Sequence, residues 1–445
     1  MDSVETVLLY VLGVLIIVVG LALSIGLHEL GHLIPAKLFG VRVSQYMIGF
    51  GPTLFSRRRG ETQYGLKAIP LGGYISMDGM YPAARKGGMA RNATTGVFDT
   101  LVQDAGSLRE DGIVDVDDHR AFFRLPVYKR VIIMLGGPIM NLLIAVVLFA
   151  VLLCGFGVAQ ASTTVGSVSQ CVLSATSDRQ TCEPGDTAAP GLAAGLKPGD
   201  RLVSLRGTAI TSWDQATAII RQSAGNDLPI VVERDGAPVT LAATPLLTER
   251  YVTDANGTIV KNDAGAPVTQ KVGFLGIGPA TEVVQQPITA VLPAVGTNIA
   301  NVVHLILNLP QRMVDIVNAA FGPGQRDPNG PVSVVGVGRI AGEITSLNSV
   351  PVLERASALV GLVASLNIAL FVFNLIPLMP LDGGHVAGAL IEGIRRGFAK
   401  LFRRPDPGPI DITRLIPLTL AVTVILGAMS LLLIYADIVK PITIQ

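Results

Sequence analysis

Four segments of this chain carry no charged residue over lengths that can cross a lipid bilayer. They are Thr6 to Leu27, Val131 to Ala161, Ala356 to Leu381 and Leu415 to Ala436. About 20 residues of helix span roughly 30 Å of hydrocarbon. Half of all residues are hydrophobic and only 15% are charged, which is unusual for a soluble chain. The sequence therefore predicts a multi-span α-helical membrane protein with four transmembrane helices.

Flanking charges predict the orientation of the chain. Residues 37–130 hold fourteen Lys and Arg and residues 393–414 hold six, whereas residues 162–285 hold nine against twelve Asp and Glu. Because loops rich in Lys and Arg stay in the cytoplasm, we expect both termini and residues 162–285 to be extracytoplasmic. The first segment has no basic residue before it, so we interpret it as a retained helix rather than a signal peptide.

A fifth uncharged segment, Ile288 to Leu309, could also be a span. Its polar and helix-bending residues are Pro293, Asn298, Asn301, His304 and Asn308. These residues suit an amphipathic or interfacial helix better than a helix surrounded by lipid. We therefore predict extracytoplasmic amphipathic helices over residues 286–355, with His304 at the interface.

Two elements of different character are predicted between the first and second spans. Residues 41–79 hold β-favouring runs on both sides of the charged turn SRRRG, which predicts a membrane-associated β-hairpin. Residues 80–125 are polar, Gly-rich and acidic, and predict a cytoplasmic loop that contains His119. No role for this loop follows from its sequence.

Residues 162–285 predict an inserted extracytoplasmic α/β domain. A helix from Trp213 to Gln222 with Ser212 as its cap, and a hairpin turn at Asp235 and Gly236, place its folded part at about 162–250. The run AAGLKPGDRLVSLRGTAI resembles bacterial PDZ domains, which bind extended peptides by strand addition.

Two of the three cysteines lie in this insertion and could pair. Cys171 and Cys182 both lie in it, where an oxidising compartment would allow a disulfide; two free thiols are the alternative. Cys154 lies in the second span and is interpreted as a small core residue.

The motif HELGH, His28 to His32, places titratable side chains at the end of the first apolar segment. Helical residues four apart share a face, so His28 and His32 can bind one Zn²⁺ through neutral imidazoles. Glu29 lies beside them and can take a proton from a zinc-bound water. Titratable groups in membrane segments indicate function; the alternative is a satisfied histidine cluster at a helix end.

A catalytic zinc site requires a third protein ligand and an open position. Asp382, in FNLIPLMPLDGGH, is the first charged residue after the third apolar segment. Pro377 and Pro380 interrupt the helix before it and free backbone groups. Asp382 is the candidate ligand, although it could instead cap a span at the water boundary. His385 follows it. This histidine could contact the metal ligands without binding the metal itself, or it could be an ordinary residue at the start of a helix.

The direction of the helices links these residues to the span count. His28 lies at the inner end of a helix that runs from outside to inside. Asp382 can reach the same ion only if its helix runs in the same direction. Were residues 288–309 a span, Asp382 would emerge about 30 Å away at the outer leaflet. This argument favours four spans.

With these motifs in place, the chain closely resembles the site-2 proteases, intramembrane zinc metalloproteases of peptidase family M50. It is similar to their bacterial PDZ-containing type, and most similar to the actinobacterial branch. The resemblance covers nearly the whole chain and rests on HELGH, NLIPLMPLDGG, GFGP, PLGGY, GGPIMN and NGPVSVVGVG.

The resemblance implies a zinc metalloendopeptidase with one Zn²⁺ per chain, held by His28, His32 and Asp382, with Glu29 as the base. It implies substrate contacts for Asn374 and Asn141, and substrate presentation by the β-hairpin. It further implies cleavage of single-span membrane proteins in a bacterial plasma membrane. Pre-cleaved anti-sigma factors are the implied substrates, and peptide termini bind the PDZ-like domain.

The expected organisation is a series of nine segments. These are the first transmembrane helix with HELGH (1–40), the β-hairpin region (41–79), a cytoplasmic loop (80–125), the second transmembrane helix (126–161), the extracytoplasmic segment (162–285), amphipathic helices (286–355), the third transmembrane helix with NLIPLMPLDGG (356–392), a cytoplasmic basic loop (393–411) and the fourth transmembrane helix (412–445).

Two other functions remain open from the residues alone. The first is a non-catalytic membrane scaffold that binds peptides through its PDZ-like domain and holds a structural metal. The second is a metal transporter, because intramembrane acids and histidines also line ion paths. The net charge of +1 gives no indication of nucleic-acid binding.

Overall fold

The structure is a computed structural model that describes most of the chain in two compact units. The described residues are 3–81, 90–94, 113–114, 120–174, 177, 179, 181–252, 259–260, 262, 266–322, 326–327, 330–408 and 416–442. The first unit comprises Met1–Phe156 and Gln286–Gln445, and the second comprises Gly157–Gln285.

The first unit is mainly helical. Helix α3 (Trp213–Gln222) belongs to the second unit. The longer helices of the first unit are α1 (Ser3–Leu38), α2 (Val127–Ala150), α4 (Val291–Leu307), α5 (Leu309–Phe321), α6 (Val334–Ser346), α7 (Val352–Asn374), α8 (Asp382–Leu401) and α9 (Ile416–Val439). Within the described residues, five of these helices are long and apolar enough to cross a bilayer: α1, α2, α4, α7 and α9. The four predicted spans are among them. The fifth, α4, is the segment that we predicted to be interfacial.

Helices α1 and α7 run parallel, and α2 runs antiparallel to both. Gly20 of α1 lies against Val363 of α7. One turn further along each helix, the Asn367 amide nitrogen donates to the Ser24 hydroxyl at 2.9 Å. This register places His28 and His32 of α1 level with the end of α7 at Asn374, which is the arrangement that a shared metal site requires.

Helix α6 provides a return path that the sequence argument did not include. It packs antiparallel to the N-terminal half of α1, with Gly338 near Val14 and Gly342 near Tyr10. At thirteen residues, α6 is too short to be found as a span by hydropathy. A chain that enters along α4 can therefore come back along α6, so parallel α1 and α7 do not exclude α4 as a span. The direction of these helices alone therefore does not decide the span count, and four spans stay a prediction.

The predicted β-hairpin is confirmed and lies beside the C-terminal half of α1. Strands β1 (Val43–Arg59) and β2 (Thr62–Tyr81) pair antiparallel. The pairing is irregular, because residues 45–48 pair with both 63–66 and 73–76 and so lie between two parts of β2. Two short strands, β3 (Ala90–Thr94) and β4 (Ile113–Val114), extend this sheet. Most of the predicted loop 80–125 lies outside the described residues.

The second unit is an α/β domain, as predicted for residues 162–285. Its longer sheet contains β5 (Val158–Val168), β6 (Arg201–Leu205), β8 (Leu228–Arg234), β9 (Ala237–Ala243) and β12 (Ile277–Val284), and β7 (Thr208–Ala209) pairs with β6. A separate pair is formed by β10 (Leu246–Tyr251) and β11 (Thr269–Phe274). Residues such as Val165, Leu202, Ile220 and Ile230 form its core.

Three local predictions for this domain are confirmed. The Ser212 hydroxyl accepts a hydrogen bond from the Gln215 backbone N–H and caps α3. Strands β8 and β9 form the hairpin around Asp235 and Gly236. Cys171 and Cys182 are joined by a disulfide.

Two of the predicted boundaries of this domain are corrected. The second apolar segment does not stay helical to Ala161: α2 continues as a short π-helix to Phe156, and β5 begins at Val158. Gly157 adopts a left-handed conformation there, which ends the helix. The folded part also extends past residue 250, because β12 pairs along β5.

The third predicted transmembrane segment, 356–392, is not one helix. Helix α7 ends at Asn374, residues 375–381 are irregular, and α8 begins at Asp382. Pro377 and Pro380 have no N–H to continue a helix. Residues 393–401 were predicted to be loop but belong to α8, which ends at Leu401. The basic residues in this stretch lie on a helix that is strongly amphipathic.

Candidate metal centre

The HELGH residues lie on the last part of α1 and are almost completely buried. His28, Glu29 and His32 are exposed by only 8%, 4% and 0%. The helical spacing brings the two histidine Nε2 atoms to 3.2 Å from each other. The helix therefore presents both imidazoles to one point, as the motif predicted.

Asp382 reaches the same point from the first turn of α8. Its Oδ2 lies 3.3 Å from Nε2 of both His28 and His32. Gly383 and Gly384 make this position possible, because a Cβ on either would lie within 2.7 Å of the backbone of residues 375–379. The proline-broken segment thus folds directly over the start of α8 and holds the carboxylate in place.

The three ligand atoms have the spacing that tetrahedral zinc requires. With zinc–ligand distances of about 2.0–2.1 Å, two ligands of a tetrahedron are separated by roughly 3.3–3.4 Å. The observed separations are 3.2, 3.3 and 3.3 Å. Asp382 Oδ2 is buried and has no hydrogen-bond donor, which is costly for a carboxylate oxygen unless a cation faces it. The donor set and its geometry therefore fit zinc.

In both histidines, the ring nitrogen that does not face the metal, Nδ1, contacts a residue of α2. His32 Nδ1 lies 2.7 Å from the Ile133 carbonyl oxygen, to which it donates when it carries the ring proton. This leaves a lone pair on Nε2 for the metal. His28 Nδ1 lies 3.0 Å from the Asn141 amide nitrogen, and the Asn141 amide oxygen is buried with no hydrogen-bond partner. A metal-binding Nε2 requires a proton on Nδ1, so the metal-bound form requires the Asn141 amide to be turned with its oxygen toward His28.

Glycines allow α2 to approach α1 closely enough for these contacts. A Cβ at Gly136 would lie 2.0 Å from the Gly31 carbonyl oxygen, and a Cβ at Gly137 would lie 2.2 Å from His32 Nε2. Only a residue without a side chain fits at either position. The motif GGPIMN thus combines a backbone contact between helices with the amide of Asn141.

The metal centre opens into a cavity of about 450 Å³. Its polar lining consists of His28, Glu29, Asn141, Asn374 and Asp382, and apolar residues of α1 and α7 form most of the remainder. The backbone of Gly72 and Gly73 in β2 borders it, and a Cβ at Gly73 would lie 3.0 Å from Glu29 Cγ. Extended backbone therefore lies directly beside the glutamate.

Asn374, at the end of α7, lines this cavity and is not one of the three metal-facing residues. Its amide nitrogen donates to the Leu370 carbonyl at 3.0 Å. Asn141, by contrast, lies against His28. The two asparagines were both predicted to contact substrate, and the structure gives Asn141 a role in orienting a histidine that the sequence analysis did not include.

Among the described residues, the other histidines are not metal-facing, although His385 lies close enough to Asp382 and His32 to interact with both electrostatically. His385 is in the first turn of α8, on the element that carries Asp382. His304 is in the last turn of α4, where its ring contacts the Asn308 amide at 3.2 Å. His119 lies outside the described residues.

One part of the cavity wall was missed from the sequence. Val332, Val334 and Val337, at the start of α6, line the cavity. This segment is tied to the end of α9, where the Asp437 carboxylate accepts hydrogen bonds from the Arg326 side chain and, at 2.7 Å, from the Ser333 backbone N–H. The motif NGPVSVVGVG was visible in the sequence, but nothing in it indicated a position beside the metal centre.

We expect Gly137→Ala to lower zinc affinity by at least tenfold, because the added methyl would overlap the ligand nitrogen of His32. Zinc bound to the purified protein can be measured by competition with a chelator. Gly155→Ala is the matched control, since a Cβ there meets no atom within 4 Å. Equal zinc affinity in the two variants would contradict the close approach of α2 to the ligands.

The helical membrane unit and its His-His-Asp site define a membrane zinc metalloprotease of the site-2 protease class. The chain belongs to peptidase family M50, whose sequence model matches residues 16–403. It is a multi-pass membrane protein with several apolar helices, and zinc is its cofactor.

Comparison with curated proteins supports this assignment over the whole chain. Zinc metalloprotease Rip1 of Mycobacterium tuberculosis strain H37Rv is 32% identical over 442 residues, which cover 98% of this chain and 99% of the relative. Rip1 of Mycolicibacterium smegmatis is 31% identical over 453 residues, covering 98% and 100%. Metalloprotease MmpA of Caulobacter vibrioides is 28% identical over 390 residues, covering 84% and 85%.

Proposed function

We propose that this zinc metalloprotease hydrolyses peptide bonds within or near the transmembrane segment of single-span membrane proteins. The observation that carries the proposal is the position of the metal centre. Its ligands and Glu29 are buried between helices that are apolar enough to lie in a bilayer, and its cavity is lined mostly by apolar side chains. Such a cavity suits an apolar peptide better than a soluble one.

Each residue of the metal centre has a separate proposed role in peptide hydrolysis. His28, His32 and Asp382 would hold the zinc. When bound, zinc polarises the scissile carbonyl and lowers the pKa of a coordinated water. Glu29 lies next to this position and would accept the proton from that water, then deliver it to the leaving amine nitrogen.

A substrate helix must be unwound before it can be cut, because its carbonyls are hydrogen-bonded internally. The backbone of β2 at Gly72 and Gly73 borders the cavity and is proposed to pair with the extended substrate. Asn374 faces the same cavity and is proposed to hold substrate backbone through its amide. Together they would keep the scissile bond extended beside Glu29.

The distribution of basic residues supports an orientation for this reaction. Residues 37–130 and 393–414 are rich in Lys and Arg and are proposed to be cytoplasmic. The metal centre would then lie toward the cytoplasmic side of the plasma membrane, with both termini and the second unit extracytoplasmic. The disulfide in the second unit supports its exposure to an oxidising compartment. Four spans, with α4 interfacial, remain our proposal.

The second unit is proposed to be a PDZ-like domain that binds peptide termini. A cavity of about 490 Å³ lies between α3 and β11, and a groove between a helix and a strand suits an extended peptide. Arg250 borders this cavity and stacks on the Phe274 ring, 3.6 Å from the ring centroid. Its guanidinium is available to a terminal carboxylate. Membrane proteins already trimmed outside, such as anti-sigma factors, are the proposed partners.

The proposal can be tested by comparing membrane proteomes of cells that carry the wild type or Glu29→Gln. We expect single-span fragments, trimmed on their extracytoplasmic side, to accumulate in the variant. Glu354→Gln, which changes an exposed residue at the start of α7, is the matched control. Identical membrane proteomes in all three strains would argue for a non-catalytic scaffold instead.

A further inference from the structure

The tip of the β1–β2 hairpin carries a cluster of cations. Arg57, Arg58 and Arg59 are consecutive and exposed at the end of β1. None of the carboxylates in the described ranges forms an ion pair with them. Glu61 is close in sequence, but both of its oxygens accept from the Arg120 guanidinium, at 2.8 and 2.7 Å. The three arginines are therefore available to an external anion.

These arginines line a concave surface rather than an isolated loop. The hairpin tip and the end of α1 enclose a cavity of about 1060 Å³, which we call the hairpin-tip cavity. It is lined by Lys37, Tyr46, Phe55, Arg57, Arg58, Arg59, Gly60, Tyr64, Gly65 and Leu66. Four of these residues are cationic and none is acidic. The Lys37 amine donates to the Tyr64 hydroxyl at 2.7 Å, so the lysine is directed to this cavity.

Exposed apolar side chains lie on the same hairpin. Leu54 and Phe55, which only Ser56 separates from the arginines, are 67% and 66% exposed, and Leu66 and Ile69 are also exposed. Exposed apolar groups beside a cationic cluster are typical of a surface that lies at the bilayer interface. The apolar side chains can enter the acyl region while the arginines remain at the level of the headgroups.

The position of the hairpin in the chain also supports a location at the bilayer interface. It begins at Val43, only a few residues after α1 ends at the highly exposed Leu38. The cavity is also lined by Lys37 from the last turn of that helix. Because α1 is a candidate membrane span, the hairpin-tip cavity lies where this helix leaves the hydrocarbon.

From these observations we propose that the hairpin-tip cavity binds the phosphodiester headgroup of an anionic phospholipid. Guanidinium groups bind phosphate oxygens in pairs of charge-assisted hydrogen bonds. Basic residues next to a membrane helix attract anionic lipids of the cytoplasmic leaflet. A bound lipid would hold the hairpin at the bilayer surface. This inference concerns lipid recognition and does not depend on the proposed peptide hydrolysis.

The test uses the full-length protein in detergent and measures lipid affinity by native mass spectrometry. The probes are phosphatidylglycerol, which is anionic, and phosphatidylcholine, which has no net charge. The wild type is expected to retain phosphatidylglycerol preferentially. In R57Q/R58Q/R59Q, affinity for phosphatidylglycerol is expected to fall by more than tenfold, since each cation near the surface contributes roughly fivefold. Zinc content should be unchanged.

Two further variants distinguish lipid binding in the hairpin-tip cavity from general attraction by the protein's positive charge. K400Q/R403Q/R404Q removes three exposed cations from the end of α8 and the residues that follow it. This α8 variant should leave phosphatidylglycerol affinity within about twofold of wild type, if the cavity rather than net charge binds the lipid. R57K/R58K/R59K keeps the charges but loses the paired guanidinium hydrogen bonds, so its affinity for phosphatidylglycerol should lie between those of the wild type and R57Q/R58Q/R59Q.

Three outcomes would overturn the proposal. The first is wild-type affinity in R57Q/R58Q/R59Q, and the second is an equal loss in the α8 variant. The third is displacement of the lipid by inorganic phosphate at equal concentration, which would indicate a site for free phosphate.

Discussion

Glu29→Gln is expected to lower kcat/KM for peptide hydrolysis by roughly a thousandfold, because general acid–base groups contribute about 10²–10⁴-fold to rate. Glutamine has nearly the same shape but cannot accept the proton of the attacking water. Glu29 is buried beside the ligands but is not one of the three metal-facing groups. The variant should therefore keep its zinc. The reaction can be followed on a purified single-span substrate, with zinc measured by mass spectrometry.

Glu354→Gln is the control for this experiment, since it makes the same chemical change at an exposed position and should leave kcat/KM unchanged. Activity of Glu29→Gln within tenfold of wild type would show that another group moves the proton. Loss of zinc from the variant would instead show that Glu29 supports the metal.

Asp382→Asn is expected to lower zinc affinity by at least a hundredfold and to remove peptide hydrolysis with it. The carboxylate Oδ2 lies 3.3 Å from both histidine Nε2 atoms, and a neutral amide replaces an anionic ligand with a weak one. Zinc affinity can be measured by chelator competition at several pH values.

Asp315→Asn provides the matched substitution for Asp382→Asn, because Asp315 is an exposed aspartate of α5. It should bind zinc as the wild type does. A wild-type zinc affinity in Asp382→Asn would mean that the third ligand comes from elsewhere in the chain.

The meeting of the three candidate ligand residues could be predicted because their signals are local. His28 and His32 share a helix face by spacing alone, and α1 places them as expected. Asp382 was identified as the first charge after an apolar run, and the proline-broken segment before it is irregular in the structure. In these cases the sequence pattern and the three-dimensional position depend on the same few neighbouring residues.

The contacts around the ligands could not be predicted in the same way. His32 is oriented by the carbonyl of Ile133, and every residue has a carbonyl, so no residue type marks this role. The close approach of Gly136 to Gly31 depends on how α1 and α2 pack, which hydropathy does not report. The two glycines were visible in their motifs but carried no indication of a partner.

Segment boundaries and the span count were the weakest predictions, for a related reason. Val158 to Ala161 belong to a β-strand but are uncharged, so hydropathy extended α2 through them. Helix α4 meets the length and composition of a span despite its asparagines. Whether it crosses depends on what packs around those amides, and the direction of α1 and α7 does not decide it because α6 offers a return path.

X-ray absorption at the zinc K-edge tests the central claim most directly, because it reports the atoms that surround the metal in the full-length protein. The account predicts only nitrogen and oxygen ligands, at about 2.0–2.1 Å, with the scattering pattern of two imidazoles. His32→Ala should remove one of the two imidazoles. A sulfur neighbour at about 2.3 Å, or an unchanged spectrum in His32→Ala, would contradict a zinc site formed by His28, His32 and Asp382.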